Sequence, residues 1–431
     1  MKKGCFAGFV FLICFLGTCL VGQAFGWDDW PHWRGPERND ISNETGLLKK
    51  WPESGPDKVW TFKNAGLGYA GIAVVGDQLF TMGTEEDKEF ALCLSATDGK
   101  ELWRTQIAQG GSRGRATPGW GDGSRSTPSV DEDRVYFLSA NGTLACLKTA
   151  DGSEVWDASM EDYGGSIPSW GFAESPLVDD GKVICTPGGD QGTILALDKM
   201  TGKMVWQSEP VRKDMDGTLS SPAKAHYSSL LPIELNGKKQ YVQLLTLAVV
   251  GLDAETGSLL WQSDWPGRTA VIPSPIFFDG KVYVTSGYGV GSKLIDISSG
   301  NADDQWMSKA MVNHHGGVIK VGNYCYGSSD RKGWVCQDLS DGKMVWNDKK
   351  ISKGSVTYAD GMFIHVEEND GEVLLIDANE SSHEIVSRFV MEPQTTRDRK
   401  KGKVWVHPVV ASGKLFVRDQ DVILCYDISA K

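Results

Sequence analysis

The sequence lacks the helical periodicity that a repeated β/α fold requires, because no segment of about 10–15 residues with helically spaced apolar side chains separates its short apolar runs. It also lacks an excess of positive charge, with 44 lysine and arginine residues against 56 aspartate and glutamate residues and a formal net charge of −12. This balance argues against nucleic-acid binding. Residues 110–114 spell Gly-x-Ser-x-Gly but lack the helical pattern that follows a nucleophile elbow, and no phosphate-binding loop lies between a strand and a helix, which disfavours the hydrolase and nucleotide-binding classes that use these motifs.

Long apolar runs are scarce, and the one that could cross a membrane lies in the first 26 residues. Lys2-Lys3 precedes an uncharged apolar stretch, and Ala24-Phe25-Gly26 suits signal peptidase. We therefore predict a signal peptide at residues 1–26 and export to the periplasm or cell envelope, with no transmembrane segment in the mature chain. An uncleaved anchor and lipid attachment at Cys19 are alternatives, although Thr18 fits a lipoprotein cleavage site poorly.

What the sequence does contain is a repeat built on Gly-x-x-x-Trp. The pair occurs at Gly99/Trp103, Gly152/Trp156, Gly202/Trp206, Gly257/Trp261 and Gly342/Trp346. Successive tryptophans are 53, 50, 55 and 85 residues apart, and the longest gap holds a stretched copy with Gly300 and Trp306. A period of this length is typical of radial or solenoid repeats. We expect the tryptophans to pack between neighbouring repeats rather than to contact a ligand.

One repeat unit, residues 126–156, contains four short runs rich in Val, Tyr, Thr and Trp, separated by turns such as Asn141-Gly142 and Asp151-Gly152. Four antiparallel strands per unit predict one blade of a β-propeller. Units begin near Ala70, Ser126, Ser175, Ser228, Ser274, Gly316, Gly354 and His407. The predicted fold is therefore an all-β, eight-bladed propeller, with seven blades as the alternative.

The eighth unit ends before its fourth strand, and residues 58–62 have the pattern of the missing strand. Pairing them with the last unit would close the ring and remove two open sheet edges. We predict a signal peptide at residues 1–26, an N-terminal extension at residues 27–58 and a single propeller domain at residues 59–431.

Cysteine use fits buried structural positions. Cys93, Cys146, Cys336 and Cys425 occupy the same slot on third strands of different units, too far apart for disulfides. Cys325 and Cys336 flank a hairpin tip, and a cross-strand disulfide between them is left open, since an exported protein permits one.

The irregular segments entering the innermost strands are the candidate functional surface. Arg125, Trp170, His226, His314 and His407 lie there, and we predict them as ligand- or cofactor-binding residues. A basic loop with Arg397, Arg399, Lys400, Lys401 and Lys403 joins them. The functional interpretation is a cation-lined mouth for an anionic small molecule or an acidic partner surface, and the alternative is a solvated rim.

No metal site is predicted. Adjacent residues on a strand point to opposite faces, so His314-His315 offers at most one ligand to a zinc ion. Asp214-x-Asp216-Gly217 begins like a calcium loop but lacks the later carboxylates.

The segment Ala196-Leu-Asp198-Lys-Met-Thr201-Gly202-Lys-Met-Val-Trp206 fits an Ala-x-Asp-x-x-Thr-Gly-x-x-x-Trp docking motif. The chain therefore resembles the pyrroloquinoline-quinone-like β-propeller repeat family, which includes quinoprotein alcohol dehydrogenases and BamB-like exported members. In its dehydrogenases the resemblance implies a quinone held by a tryptophan and a disulfide of adjacent cysteines, over calcium, with an aspartate base. This sequence has no Cys-Cys pair, and no calcium set can be assigned by motif.

Intact blade motifs beside absent catalytic ones favour a non-catalytic binding or scaffold module acting through the loop-rich face, expected to be monomeric. The alternative is a dehydrogenase of the cell envelope that oxidises alcohols or sugars with pyrroloquinoline quinone and calcium.

Overall fold

The computed structural model describes residue 26, residues 28–109, residue 120, residues 122–215 and residues 218–430. Most of the predicted leader, residues 1–25 with Cys19, lies outside the described residues, as do Asp216 and Gly217 of the calcium-like segment. The described residues form an all-β ring of eight four-stranded antiparallel blades. The prediction of eight blades is confirmed, and the seven-blade alternative is wrong.

Within each blade, the strands are given in order from the central channel outward. Blade 1 contains Ala73–Val75, Gln78–Glu85, Lys88–Ser95 and Glu101–Gln109. Blade 2 contains Ser129–Asp131, Arg134–Leu138, Thr143–Lys148 and Glu154–Ser159. Blade 3 contains Leu177–Asp179, Lys182–Cys185, Leu195–Asp198 and Met204–Gln207. Blade 4 contains Leu231–Leu235, Lys238–Leu244, Ala248–Asp253 and Leu259–Asp264.

The second half of the ring repeats this order. Blade 5 contains Ile276–Phe278, Lys281–Ser286, Gly291–Asp296 and Asp303–Ser308. Blade 6 contains Val318–Val321, Tyr324–Ser329, Gly333–Asp338 and Met344–Asp348. Blade 7 contains Gly354–Ala359, Met362–Glu367, Glu372–Ala378 and His383–Val390. Blade 8 contains Val409–Ala411, Lys414–Asp419, Val422–Asp427 and, as its outer strand, Asp57–Phe62.

Four short elements of the described chain lie outside the blades. Strand Ile41–Ser42 pairs in parallel with the inner strand of blade 7. Strands Asp214–Met215 and Thr218–Leu219 pair with each other. Met160–Tyr163 forms a 3-10 helix. Within the described ranges, no helix has both the length and the apolar character needed to span a bilayer.

The ring closes as predicted. The outer strand of blade 8 pairs antiparallel with the last strand of the chain, placing Trp60 opposite Cys425 and Asp57 opposite Asp427. Arg418 of blade 8 reinforces this seam, because its buried guanidinium donates hydrogen bonds to the carbonyl oxygens of Ala70 and Met82 at 3.1 and 2.7 Å. The seam therefore combines strand pairing with polar contacts between the last and first blades.

The repeated tryptophans pack between blades, as expected. The indole of Trp156 in blade 2 lies against Gly202 of blade 3, and its Nε1 donates to the carbonyl oxygen of Lys199 at 3.0 Å. Gly202 has φ +69°, and a Cβ added to it would lie 2.7 Å from the Trp156 ring. The same contact, in which a glycine receives the tryptophan ring of the preceding blade, recurs at Gly99, Gly152, Gly257 and Gly342.

The six described cysteines are buried and free. The third-strand cysteines lie opposite the outer-strand tryptophans, for example Cys93 opposite Trp103 and Cys146 opposite Trp156. The cross-strand disulfide left open for Cys325 and Cys336 does not form, because Cys325 lies opposite Gln337 and Cys336 lies opposite Tyr326. A difference of one residue in register sends the two sulfur atoms to opposite faces of the blade.

The central channel is filled from one side by residues 28–42, which we call the N-terminal plug. Trp30 bridges to Val74 of blade 1, and Ile41 pairs with Tyr358 of blade 7. Between them, Arg34 donates to the carbonyl oxygen of Val318 in blade 6 at 2.7 Å, and Arg38 donates to that of Ser175 before blade 3 at 3.2 Å. The predicted boundary at residues 58 and 59 remains a prediction, but the plug packs inside the ring.

Candidate functional site

A cavity of about 300 Å³ opens at the channel mouth, on the face where the innermost strands begin. We call it the aromatic cup. Its walls carry seven aromatic rings, three imidazoles and one guanidinium: Trp33, Tyr69, Trp120, Trp170, Tyr227, Tyr288, Trp405, His314, His315, His407 and Arg125. Ligand pockets in proteins begin at about this volume, so the cup suits one ring system or one large side chain.

The repeat itself places these side chains. Tyr69, Arg125, Trp170, Tyr227 and His407 all lie a few residues before an innermost strand, so successive blades point them at the channel. Tyr288 comes instead from the hairpin between the second and third strands of blade 5, where it adopts φ +56°. Seven of the eight blades or their entry loops therefore contribute to one cavity.

The N-terminal plug forms the floor of the cup. Trp33 donates from its indole nitrogen to Ser274 Oγ at 3.0 Å and packs against His407 with ring centroids 4.6 Å apart. The plug's strand contacts, with residues such as Val74 and Tyr358, lie farther along the inner strands than the residues of the cup wall. The cup is consequently blind, closed at its base by the chain's own N-terminal segment.

Buried ionic contacts hold this floor in place. The Arg34 guanidinium and Asp40 carboxylate form an ion pair with a 2.6 Å contact, and both side chains are almost fully buried. Burial alone would raise the pKa of Asp40, but Arg34 and His407 lower it below its usual value. His407 Nδ1 lies 3.4 Å from Asp40, while its Nε2 donates to the carbonyl oxygen of His315 at 2.9 Å.

Arg125 lies on the wall between two aromatic residues. Its Nε donates to the carbonyl oxygen of Trp170 at 2.9 Å, and its guanidinium lies 4.8 Å from the centre of the Tyr69 ring. Burial lowers the pKa of Arg125 from its usual value. Tyr69 in turn packs against Trp405 with ring centroids 4.8 Å apart and planes tilted by 42°, so one cation and two rings are in successive contact.

The surroundings of the adjacent histidines His314 and His315 favour their neutral forms. Burial, His315 and Lys353 together lower the pKa of His314 to about 2, and burial lowers that of His315. Lys353 Nζ lies 2.6 Å from Nδ1 of His314, which leaves the proton on Nε2, 3.0 Å from the Tyr288 hydroxyl. His315 Nε2 lies 3.0 Å from Glu368, which also accepts from the Trp405 indole at 2.9 Å.

Four of the five predicted site residues, Arg125, Trp170, His314 and His407, line the cup. His226 does not; it accepts a hydrogen bond from the Val271 backbone at 3.2 Å, and burial lowers its pKa to about 4. The sequence reasoning missed the tyrosines, although an aromatic residue before an inner strand is a visible signal. Whether these residues bind a ligand remains a prediction.

The expectation of a cation-lined mouth needs correction at the basic loop. Arg397 forms an ion pair with Asp421 at 3.1 Å, Arg399 with Asp419, and Lys400 with Asp122 at 3.1 Å. These acids lie at a hairpin tip of blade 8 and in the loop before blade 2, so the protein itself neutralises most of the loop. Lys401 instead lies 5.6 Å from the centre of the Trp120 ring.

The described lining of the cup contains no carboxylate, and the two carboxylates that contact its lining or floor do not fit a calcium ion. Glu368 is engaged by His315 and Trp405, and Asp40 by Arg34, so neither belongs to a cluster of oxygen ligands. In the part of the chain that the structure describes, no group of three or more His, Cys, Asp or Glu residues is arranged to hold a metal. The ring-lined walls would accept a planar group, but the described residues offer no set of oxygen ligands for a calcium ion beside a quinone.

Comparison with known proteins agrees with this architecture. Residues 93–348 match the family model described as outer membrane protein assembly factor BamB. Among curated proteins, the chain is 24% identical to BamB of Moranella endobia (strain PCIT) over 310 residues, which is 70% of each chain. It is 26% identical to quinohemoprotein alcohol dehydrogenase ADH IIB of Pseudomonas putida over 167 residues, 37% of this chain and 23% of that protein.

Two solved structures share the fold. BamB from Moraxella catarrhalis has a TM-score of 0.60 and 15% identity, covering 87% of this chain and 98% of its own. Quinohemoprotein alcohol dehydrogenase from Comamonas testosteroni has a TM-score of 0.67 and 12% identity, covering 94% and 81%. Because both identities are low, these likenesses speak to the fold alone.

Proposed function

Because this chain belongs to the family of outer membrane protein assembly factor BamB, we propose that it is a non-catalytic binding module that holds a protein partner at its loop-rich face. The observation that carries the proposal is the aromatic cup, a blind cavity built by seven blades on that face. Aromatic residues are enriched at protein interfaces, where a few buried anchors supply most of the binding free energy. The family's description as an assembly factor also favours a protein partner.

Site-specific photocrosslinking in cells tests this proposal. A photoreactive amino acid at Tyr288, which is 37% exposed on the rim, should give a discrete crosslinked complex, whereas the same residue at Met344, 42% exposed on the outer strand of blade 6, should not. Replacing Trp120 by Ala should abolish the complex while leaving the unfolding temperature unchanged. Equal crosslinking from both positions would contradict binding at the loop-rich face.

The rival function is a quinone-dependent alcohol or sugar dehydrogenase. Its favouring observation is the ring-lined cup with Arg125 in its wall, at the mouth of a propeller similar in fold to a quinohemoprotein alcohol dehydrogenase. The absence of a calcium ligand set among the described residues weighs against it. Reconstitution with pyrroloquinoline quinone and calcium, followed by dye reduction with alcohols and aldoses, decides: stoichiometric uptake with turnover would overturn the non-catalytic proposal.

We also propose that the protein acts in the cell envelope after export, as the N-terminal leader predicts. Fractionation of cells expressing the full chain, with mass measurement of its N-terminus, tests this. Cleavage after Gly26 is the expected result, and a lipid on Cys19 would favour the anchored alternative.

A further inference from the structure

We propose that the aromatic cup receives a single aromatic side chain, from tryptophan, tyrosine or phenylalanine, that projects from the partner polypeptide beside an acidic residue. This inference rests on the proposed function and specifies its chemistry. It is carried by the shape of the cup, by the way its rings are oriented, and by the exposed residues at its rim.

The shape of the cup fits one side chain better than a continuous segment. The N-terminal plug closes the base with Trp33, so a polypeptide cannot pass through the channel. The remaining volume of about 300 Å³ is at the lower limit of ligand-pocket volumes. It is larger than a small aliphatic side chain would fill. A blind cup of this size is matched by one ring inserted from above.

The walls offer ring surfaces more than hydrogen bonds. The indole nitrogens of Trp33 and Trp405 donate to Ser274 and Glu368. The hydroxyls of Tyr69, Tyr227 and Tyr288 lie against the Trp120 carbonyl oxygen, the Trp170 backbone nitrogen and His314, at 3.3, 3.4 and 3.0 Å. With these polar groups used inside the protein, an inserted ring would gain edge-to-face and offset contacts, worth about 0.5–1.5 kcal/mol each beyond area burial.

A hydroxyl-rich ligand or a cation fits these walls less well. A sugar would need several hydrogen-bond partners, and the walls hold few, because the Trp33 and Trp405 indoles and the Tyr69 hydroxyl already donate inside the protein. A cationic ligand would lie beside the Arg125 guanidinium and near Lys353, which already disfavours positive charge on His314. An uncharged ring avoids both penalties.

The rim extends the aromatic surface outward. Trp120 is 40% exposed and Tyr288 is 37% exposed, and both border the cup. Lys401 lies over the Trp120 ring and forms no ion pair with any residue that the structure describes. An acidic residue next to the inserted side chain would meet this ammonium group, which is why we assign an aromatic–acidic segment to the partner.

Calorimetry with short peptides tests the proposal on the purified protein. The probe is the blocked peptide Gly-Asp-Trp-Asp-Gly, and its two matched controls replace Trp by Leu or both Asp residues by Lys. We expect one probe peptide to bind per chain and the Leu peptide to bind at least tenfold more weakly. The Lys peptide should also bind more weakly than the probe, and this difference should become smaller at high salt, which screens the charges. Equal binding of the Trp and Leu peptides, or no binding by either, would overturn the inference.

Variants locate the site. Trp170→Ala should weaken probe binding at least tenfold, whereas Leu102→Ala, half exposed on the outer strand of blade 1, should leave it unchanged. Lys401→Gln should weaken only the acidic peptide. Displacement of the probe by glucose, or by pyrroloquinoline quinone at stoichiometric concentration, would assign the cup to a small molecule instead. If the peptides fail while Tyr288 still crosslinks a partner in cells, the proposed function survives and the aromatic anchor does not.

Discussion

At the scale of single residues, the glycine that receives each tryptophan is the most constrained position of the repeat. Gly202 and Gly237 have nearly the same φ, +69° and +73°, but a Cβ on Gly202 would lie 2.7 Å from the Trp156 ring, while nothing lies within 4 Å of one on Gly237. We predict that Gly202→Ala lowers the free energy of unfolding by about 2–4 kcal/mol, through both backbone strain and overpacking.

The matched variant Gly237→Ala should cost only the strain, about 1–2 kcal/mol. Urea denaturation followed by circular dichroism measures both changes. If the two substitutions cost the same, the indole does not require a glycine beneath it, and the repeat must be explained by turn geometry alone.

Glu174 gives a second residue-scale prediction, in the pH dependence of stability. Burial raises the pKa of this carboxyl to about 8, although Thr186 donates two hydrogen bonds to it. Between pH 4.5 and 8 the unfolded chain releases this proton and the folded chain keeps it, so stability falls as pH rises through that window. The slope contributed by one such group is at most about 1.4 kcal/mol per pH unit.

The comparison of wild type with Glu174→Gln isolates this contribution. Buried histidines such as His32 and His365, whose pKa values burial lowers to about 3 and about 4, make stability rise with pH below 6.5 in both proteins. We expect the stability of wild type relative to the variant to decline from pH 5 to pH 8. A constant difference across that range would show that the carboxyl is ionised in the folded protein.

Side-chain contacts at this scale were only partly predictable. The histidines before inner strands were identified because the repeat fixes where those strands begin. The pairing of Arg397 and Arg399 with Asp421 and Asp419 was missed, since it joins a loop to a hairpin tip in the next blade. Two acids separated by one residue at a turn are the signal that could have revealed the counter-ions. Whether Cys325 lies opposite Cys336 or one residue away from it depends on the exact length of the hairpin turn. The composition of the turn does not determine that length.

At the scale of elements, the N-terminal plug depends on one buried ion pair. Asp40→Asn leaves the Arg34 guanidinium buried without its counter-ion, and we predict a loss of about 3–5 kcal/mol in unfolding free energy. The control Asp341→Asn removes the partner of Lys343 on the surface, where the side chains are 43% and 81% exposed, and should leave the free energy of unfolding nearly unchanged because solvent screens the pair. Thermal denaturation of both variants would show whether the floor is held by charge; equal small losses would contradict this.

The blades and the plug differ in what the sequence discloses about them. Strands were predictable because each blade repeats a local pattern of turns and apolar residues, and the closing strand carries the same pattern as the outer strand it replaces. The plug has no repeat. Its strand partners, Val74 in blade 1 and Tyr358 in blade 7, lie far apart in the sequence and belong to different repeat units. In the sequence, its charged residues look like those of a solvent-exposed segment, and only the fold shows that Arg34 and Asp40 are buried.

At the scale of the whole molecule, ring closure and channel filling can be separated by changing where the chain begins. Asp427 and Asp57 are paired ends of adjacent strands, so a copy of the Asp198–Lys203 turn could join them. With new termini at the Asn236-Gly237 hairpin and residues 28–56 removed, blade 8 becomes a regular blade. We expect one cooperative unfolding transition at reduced stability and loss of peptide binding, because the ring stays closed and the cup loses its floor.

Calorimetry and the peptide titration measure both properties of this permutant. Undiminished binding would mean that the plug is not the base of the site. Two separate unfolding transitions would mean that the natural connection, rather than strand pairing, makes the eight blades a single folding unit.

The pairing of Asp57 with Asp427 also determines when, during synthesis of the chain, the ring can close. The two residues are 370 positions apart, and at roughly 5–20 residues per second the earlier strand waits on the order of 20–75 s for its partner to leave the ribosome. Throughout that interval the strand Asp57–Phe62 lacks the partner strand for its backbone hydrogen bonds, and the ring of blades stays open. The molecule therefore cannot finish its fold until the strand that carries Asp427 has been synthesised.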